Sequence, residues 1–167
     1  ASFSAGFAPV DPEALSENGV DEVAFRFSAN KGEPEKPLVR VASGGEISRV
    51  MLSFKAALSH ADAIDTLIFD EIDTGISGLI AIAVARKMQE LSRTHQLLCV
   101  THLAQIAARA DKQYYIYKET VGEGTRSAVK PLSEEERPAE LARIMGSVND
   151  PLAIQHARNL LRSAKES

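Results

Sequence analysis

Three short clusters of polar residues in this chain have the residue types that hold phosphates and activate water. Ser43-Gly44-Gly45-Glu46 places a hydroxyl and two glycines just ahead of an apolar helical pattern. Glycines let a backbone approach a phosphate closely, and the N–H groups that open a helix favour an anion. The same four residues also suit a plain serine N-cap on a glycine turn. Asp70-Glu71 closes the apolar run Leu67-Ile68-Phe69. Carboxylates at the end of a buried strand are poorly solvated. This pair suits a divalent cation on Asp70 and a water activated by Glu71, although ordinary strand-end carboxylates also occur. Asp73 reads either as a third acidic group or as a cap on the turn into the next helix. Thr101-His102 ends a second apolar run, where an imidazole can hydrogen-bond a terminal phosphate or serve a purely structural purpose.

The elements that must position these groups follow from periodicity. Apolar residues Ile47, Val50, Met51, Phe54 and Leu58 recur at helical spacing, which predicts a helix from about Gly45 to Ala61. Thr66 to Phe69 and Leu97 to Thr101 are short continuous apolar runs, as expected of strands covered on both faces. Between them Ile76, Ile80, Val84, Met88 and Leu91, widened by Leu79 and Ala83, predict a helix with Ser77 as N-cap. Strand, crossover helix, strand makes a βαβ unit with parallel strands. It delivers Asp70, Glu71 and His102 to one sheet edge, where open α/β folds bind ligands.

Elsewhere, the first nineteen residues read as a loop or arriving connection, with Pro9, Pro12, Gly6 and Gly19 and little periodicity. Val23, Phe25 and Phe27 alternate like a strand with one buried face, and Asn30 to Pro37 reads as an exposed loop. Tyr114–Lys118 and Arg126–Leu132 form a hairpin pattern around Val121 to Gly124. A helix from about Pro138 stops at Gly146, and Asp150-Pro151 starts a final one. The expected class is therefore α/β: a mainly parallel sheet flanked by helices, with a β-hairpin and two C-terminal helices.

The bulk numbers are ordinary for a globular domain: 44% hydrophobic and 25% charged over 167 residues. A net charge of −4 argues against a large basic nucleic-acid surface on this chain alone. No run approaches the roughly 18 apolar residues of a membrane span, and no signal peptide is expected. The single cysteine, Cys99, lies in an apolar run and reads as a buried thiol, which fits a reducing compartment. His60, His95 and His156 read as surface residues.

No G-x-x-x-x-G-K-[ST] phosphate loop occurs anywhere in the sequence. What remains is half of an ATP site. In their order, the three clusters resemble the C-terminal half of an ABC-type ATPase: Ser43 to Glu46 the signature motif, Leu67 to Glu71 Walker B, His102 the switch histidine. The wording Val41-Ala42-Ser43-Gly44-Gly45-Glu46-Ile47-Ser48-Arg49, with Asp70-Glu71-Ile72-Asp73-Thr74-Gly75-Ile76-Ser77-Gly78 and Val100-Thr101-His102-Leu103-Ala104-Gln105, resembles the RecN family of bacterial SMC-like DNA repair proteins.

That resemblance implies a C-terminal lobe over residues 20–167, lacking Walker A, and a connection arriving from a coiled coil over residues 1–19. It implies an ATPase head completed by an N-terminal Walker A lobe of the same protein, a homodimer through ATP-bound heads, DNA as the object of the intact protein, and no membrane. The location implied is cytoplasmic and nucleoid-associated. Asp70 would serve Mg²⁺, Glu71 the hydrolytic water, and His102 the γ-phosphate of its own head. Ser43, Gly44, Gly45 and Glu46 would reach the γ-phosphate of the facing head. Asp73, Thr74, Gly75, Ser77 and Gly78 would lie at the head–head contact. Many ABC proteins carry an aspartate seven positions after the Walker B aspartate; here that position is Ser77, to which the aspartate's role does not transfer. Another SMC- or ABC-type head lobe, a self-contained metal hydrolase on Asp70, Glu71, Asp73 and His102, and a non-enzymatic docking module are the alternatives.

Overall fold

The computed structural model describes residues 1–9, 17, 19–30, 32–41, 43–58, 64–122, 124–148 and 150–166. The chain divides into two compact units, Ala1–Ile47 and Ser48–Ser167.

In the first unit β1 (Ser2–Pro9), β2 (Asp21–Ser28) and β3 (Lys36–Pro37) form an antiparallel sheet in that order, followed by the short helix α1 (Leu38–Val41). The loop or connection expected over residues 1–19 is thus a strand over Ser2–Pro9. Its alternation of Phe3, Ala5 and Phe7 is readable only against β2, where these residues face Phe27, Phe25 and Val23. The Phe3 and Phe25 rings approach to 5.5 Å between centroids. The expected loop over Asn30–Pro37 ends in β3. Of the face expected to be buried, only Phe27 is; Val23 and Phe25 stay about half exposed.

The helix α2 (Gly44–Ala57) starts in the first unit and runs on through the second. In the second unit β4 (Thr66–Phe69) and β5 (Gln96–Cys99) pair in parallel, Thr66 opposite Gln96 and Phe69 opposite Cys99. The crossover is α3 (Gly78–Leu91). The α/β class stands, and the parallel pairing is carried by β4 and β5. Leu52 of α2, Leu67 and Phe69 of β4, and Ala85, Met88 and Leu91 of α3 close one core around Ile72. The buried stripe of α3 is Ala81, Ala85, Met88 and Leu91, while Leu79 and Ile80 face solvent. Ser77 occupies the N-cap position, but its side chain makes no cap hydrogen bond.

Neither central strand is covered on both faces. Leu67 and Phe69 are buried, whereas Ile68 is 71% and Leu98 47% exposed. His95, expected at the surface, is buried beside Leu91, in the turn from α3 to β5, with Nδ1 2.8 Å from Thr94 Oγ1. His156 is exposed as expected, and His60 lies outside the described residues.

After β5 come α4 (Ala104–Ala107), the hairpin β6 (Tyr114–Val121) and β7 (Gly124–Pro131), then α5 (Arg137–Ile144) and α6 (Pro151–Lys165). Gly146 takes a left-handed φ of 84° and ends α5, with Gly146 N–H donating to Arg143 O and Ser147 N–H to Ala142 O. Asp150 caps α6 by accepting from Leu152 N–H at 2.9 Å. Leu141, Ala157 and Ala164 pack α5 on α6 in a second core with Ala104, Ala107 and Ala108.

Candidate functional site

The parallel ladder brings the ends of β4 and β5 to one edge, and Val100 N–H still donates to Phe69 O at 3.0 Å. Beyond that pair the two chains separate into loops. On the β4 side Asp70 and Glu71 are exposed, then Ile72 and Asp73 turn inward to full burial. Asp70 Oδ1 accepts the N–H of Glu71 at 2.9 Å, so its other oxygen is available to a ligand.

Glu71 adopts φ 57°, the only positive φ among the described non-glycine residues. That left-handed backbone costs a side-chain-bearing residue of order 1–3 kcal/mol and persists only where its surroundings enforce it. Four contacts do so. Ser48 Oγ donates to Asp70 O at 2.8 Å, and Thr74 N–H donates to Glu71 O at 3.0 Å. Arg49 Nη1 donates to Ile72 O at 3.1 Å and to Thr74 O at 2.9 Å. Helix α2 therefore grips the acidic loop from two successive residues. Arg49→Ala is expected to lower the urea midpoint of the chain by an amount equivalent to about 1.5–3 kcal/mol, the range for a hydrogen bond from a charged group. An unchanged midpoint would show that the clamp does not hold the loop.

On the β5 side Thr101 Oγ1 donates to Asp73 Oδ2 at 2.5 Å and the His102 N–H donates to the same oxygen at 2.7 Å. The His102 ring Nδ1 lies 3.1 Å from it, with the histidine side chain 72% exposed and that of Asp73 3%. Of the residues expected at a subunit contact, Thr74, Gly75, Ser77 and Gly78 are exposed, and Asp73 is not. Its carboxylate faces into the chain, where the Thr101 hydroxyl and the His102 N–H donate to it. Among the described residues no group of three His, Cys, Asp or Glu side chains is placed to hold a metal ion. Burial, with smaller effects from Asp73 and Asp70, pushes the Cys99 thiol up to about 12, so it stays protonated and inert at neutral pH.

The Ser43 cluster belongs to the first unit. Ser43 N–H donates to Glu46 Oε2 at 3.0 Å, and Glu46 N–H reaches back to Ser43 Oγ at 3.4 Å. This is a reciprocal capping box. Glu46 thus helps to satisfy the first turn of α2, while Ser43 and Gly44 are exposed and Gly45 is buried.

Sequence reasoning missed Ser48, Arg49 and the role of Thr101. Their polar positions on α2 and at a strand end were visible, but the carbonyls and the carboxylate they meet are more than twenty residues away.

A parallel strand pair ending in carboxylates on one side and an imidazole on the other, with a capped glycine turn opening α2, defines an SMC-type ATPase head lobe. The structural comparison agrees. An SMC head domain with a coiled coil and joint from Pyrococcus yayanosii superposes with a TM-score of 0.56 at 26% identity, covering 86% of this chain and 26% of that one. A second chain, from work on ATP-driven dimerization and DNA-stimulated activation of SMC ATPases, shares the fold at TM-score 0.50 and 24% identity, covering 86% and 81%. The chain belongs to the RecN family. It is 47% identical over 156 residues to the DNA repair protein RecN of Bacillus subtilis, covering 93% of this chain and 27% of that protein. The RecN of Treponema pallidum is 49% identical over 146 residues, at 87% and 26% coverage. That of Deinococcus radiodurans is 48% identical over 143 residues, at 86% and 25%. The chain thus spans about a quarter of the length of these relatives. No family model matches.

Proposed function

We propose that this chain is the C-terminal lobe of a RecN-type ATPase head acting in DNA double-strand-break repair and recombination. The observation that carries the reading is the β4–β5 edge, which presents Asp70, Glu71 and a tethered His102 in a sequence that has no phosphate loop. The sheet behind that edge is correspondingly incomplete. Ile68, Leu98, Val100, Ile116 and His102 line an open groove of about 820 Å³, with most of these apolar groups half exposed or more. An N-terminal Walker A lobe of the same protein would cover that face, and residues 1–19 would lead in from its coiled coil.

In the complete head Glu71 accepts a proton from the water that attacks the γ-phosphate. The clamp from α2 holds the backbone on either side of Glu71 in its left-handed conformation, which fixes where that side chain leaves the loop. His102 points its outer ring nitrogen at the terminal phosphate. The exposed Asp70, with one oxygen free, fits Mg²⁺, which when bound would neutralise phosphate charge. Ser43, Gly44 and Gly45 at the start of α2 close on the nucleotide of a facing head, with Thr74, Gly75, Ser77 and Gly78 in the contact between heads. DNA is the substrate on which the intact dimer acts. No described helix is long and apolar enough to cross a membrane, and the reading places the protein at the nucleoid in the cytoplasm.

The test is reconstitution. The isolated chain should bind Mg-ATP weakly and not turn it over, because the absent loop provides most triphosphate contacts. Mixing it with a Walker A-bearing N-terminal lobe should produce ATP hydrolysis that neither piece shows alone. Tight stoichiometric binding and turnover by this chain alone, followed by calorimetry and phosphate release, would end the half-site reading.

A further inference from the structure

We propose that Asp73 is a positioning residue for His102, fixing which nitrogen of the imidazole faces the nucleotide. The inference rests on the reading that His102 faces the terminal phosphate. One oxygen of Asp73, Oδ2, accepts the Thr101 hydroxyl at 2.5 Å and the His102 N–H at 2.7 Å, and the His102 ring Nδ1 lies 3.1 Å from the same oxygen. A carboxylate oxygen only accepts, so the proposed tautomer carries the ring proton on Nδ1, the nitrogen that faces Asp73. The ring is then oriented with Nε2 on its far side, away from the protein. The His102 side chain is 72% exposed and would otherwise rotate freely between rotamers.

Two features argue that the charge of Asp73 serves the histidine as well as the fold. A carboxylate 97% withdrawn from solvent, with a single ring as its salt-bridge partner, is an expensive way to tie two loops when a neutral amide could accept from a hydroxyl and a backbone N–H. Charge-assisted bonds are about twice as strong as neutral ones, and two donors with an imidazole nitrogen beside them on one oxygen are best served by the anion. Second, Asp73 stands two residues after Glu71 in the loop that Arg49 holds, with Ile72 between them fully buried. The same short segment therefore sets the backbone of the proposed base and the orientation of the imidazole across the cleft. Any shift of the loop moves both together.

The test uses the full-length protein and four versions of it: unsubstituted, Asp73→Asn, His102→Ala and the double variant. Asp73→Asn keeps the shape and an acceptor oxygen but removes the charge. Partners that orient metal-bound imidazoles contribute about 10–100-fold, and by analogy kcat for ATP should fall by about that factor with KM little changed. The double variant should be no slower than His102→Ala alone, because Asp73 acts through the ring. Losses that multiply in the double variant would assign Asp73 a separate structural role and overturn the inference. Normal kcat in Asp73→Asn beside an impaired His102→Ala would also overturn it, while leaving the ATPase reading intact. Normal kcat in His102→Ala would remove the reading and the inference together. Should Asp73→Asn fail to fold, the ring tautomer of the unsubstituted protein decides. With ¹⁵N-labelled histidine, and His102 assigned by subtraction of the His102→Ala spectrum, the proton is expected on Nδ1. A proton on Nε2 with a bare Nδ1 would overturn the inference.

Discussion

Glu71→Gln in a reassembled head should leave ATP binding intact and slow hydrolysis by about 10²–10⁴-fold, the usual worth of general-base assistance. Glutamine keeps the length and volume of the side chain and meets the same clamp from Ser48 and Arg49 on the neighbouring carbonyls. It takes the φ of 57° at the same cost as glutamate, so the fold should be as stable as before. What it lacks is a basic oxygen for the proton of the attacking water. ATP would then accumulate in the closed head, and a nucleotide-dependent dimer should persist on size-exclusion chromatography where the parent protein's decays. Single-turnover hydrolysis separates the effect from binding. A near-normal rate would remove Glu71 from the chemistry and leave its strained backbone without a functional reason.

Ser43→Arg should abolish ATPase activity of the full-length protein while each head still binds its own nucleotide. The start of α2 has to approach a phosphate held by the facing head, and an arginine is too bulky for that turn even though its charge would attract the phosphate. The capping box supplies the competing explanation: Ser43 and Glu46 bond each other in this structure. If capping were its whole role, Ser43→Ala would cost about 0.5–2 kcal/mol of stability and leave turnover unchanged in the folded protein. Mixing separates the two. A protein defective in the Walker A lysine and one carrying Ser43→Arg each have two broken sites as homodimers, yet a mixed dimer contains one site built from intact halves. Activity recovered on mixing, with neither parent active, is the expected result. No recovery when mixed dimers are demonstrably present would count against action across the dimer.

Much of this molecule is local, and the local part was legible. The βαβ unit follows from two short apolar runs around a helical period, and the parallel strand direction follows from a crossover the length of a helix. Asp150 before Pro151 and the glycine at Gly146 announce helix ends, because capping bonds span only two to five residues and need particular side chains or a left-handed φ. The order of the three polar clusters needed no coordinates, and neither did the lack of a phosphate loop.

Tertiary structure decided the rest, for reasons of distance along the chain. A strand such as Ser2–Pro9 is specified by its partner β2, so its small residues and the single Pro9 read as a loop in isolation. His95 is buried because α3 and β5 close over the turn between them, which no window around it reveals. Apolar runs state that a face wants covering but not what covers it: Ile68 and Leu98 read as core and stand open on this chain. In the sequence Asp73 reads either as a third acidic group beside Asp70 and Glu71 or as a cap on the next turn. Only the meeting of two loops 28 and 29 residues apart turns it inward onto Thr101 and His102. Residue type and order are enough to predict which chemistry a site contains, but the direction each group faces depends on remote partners that only folding brings within bonding distance.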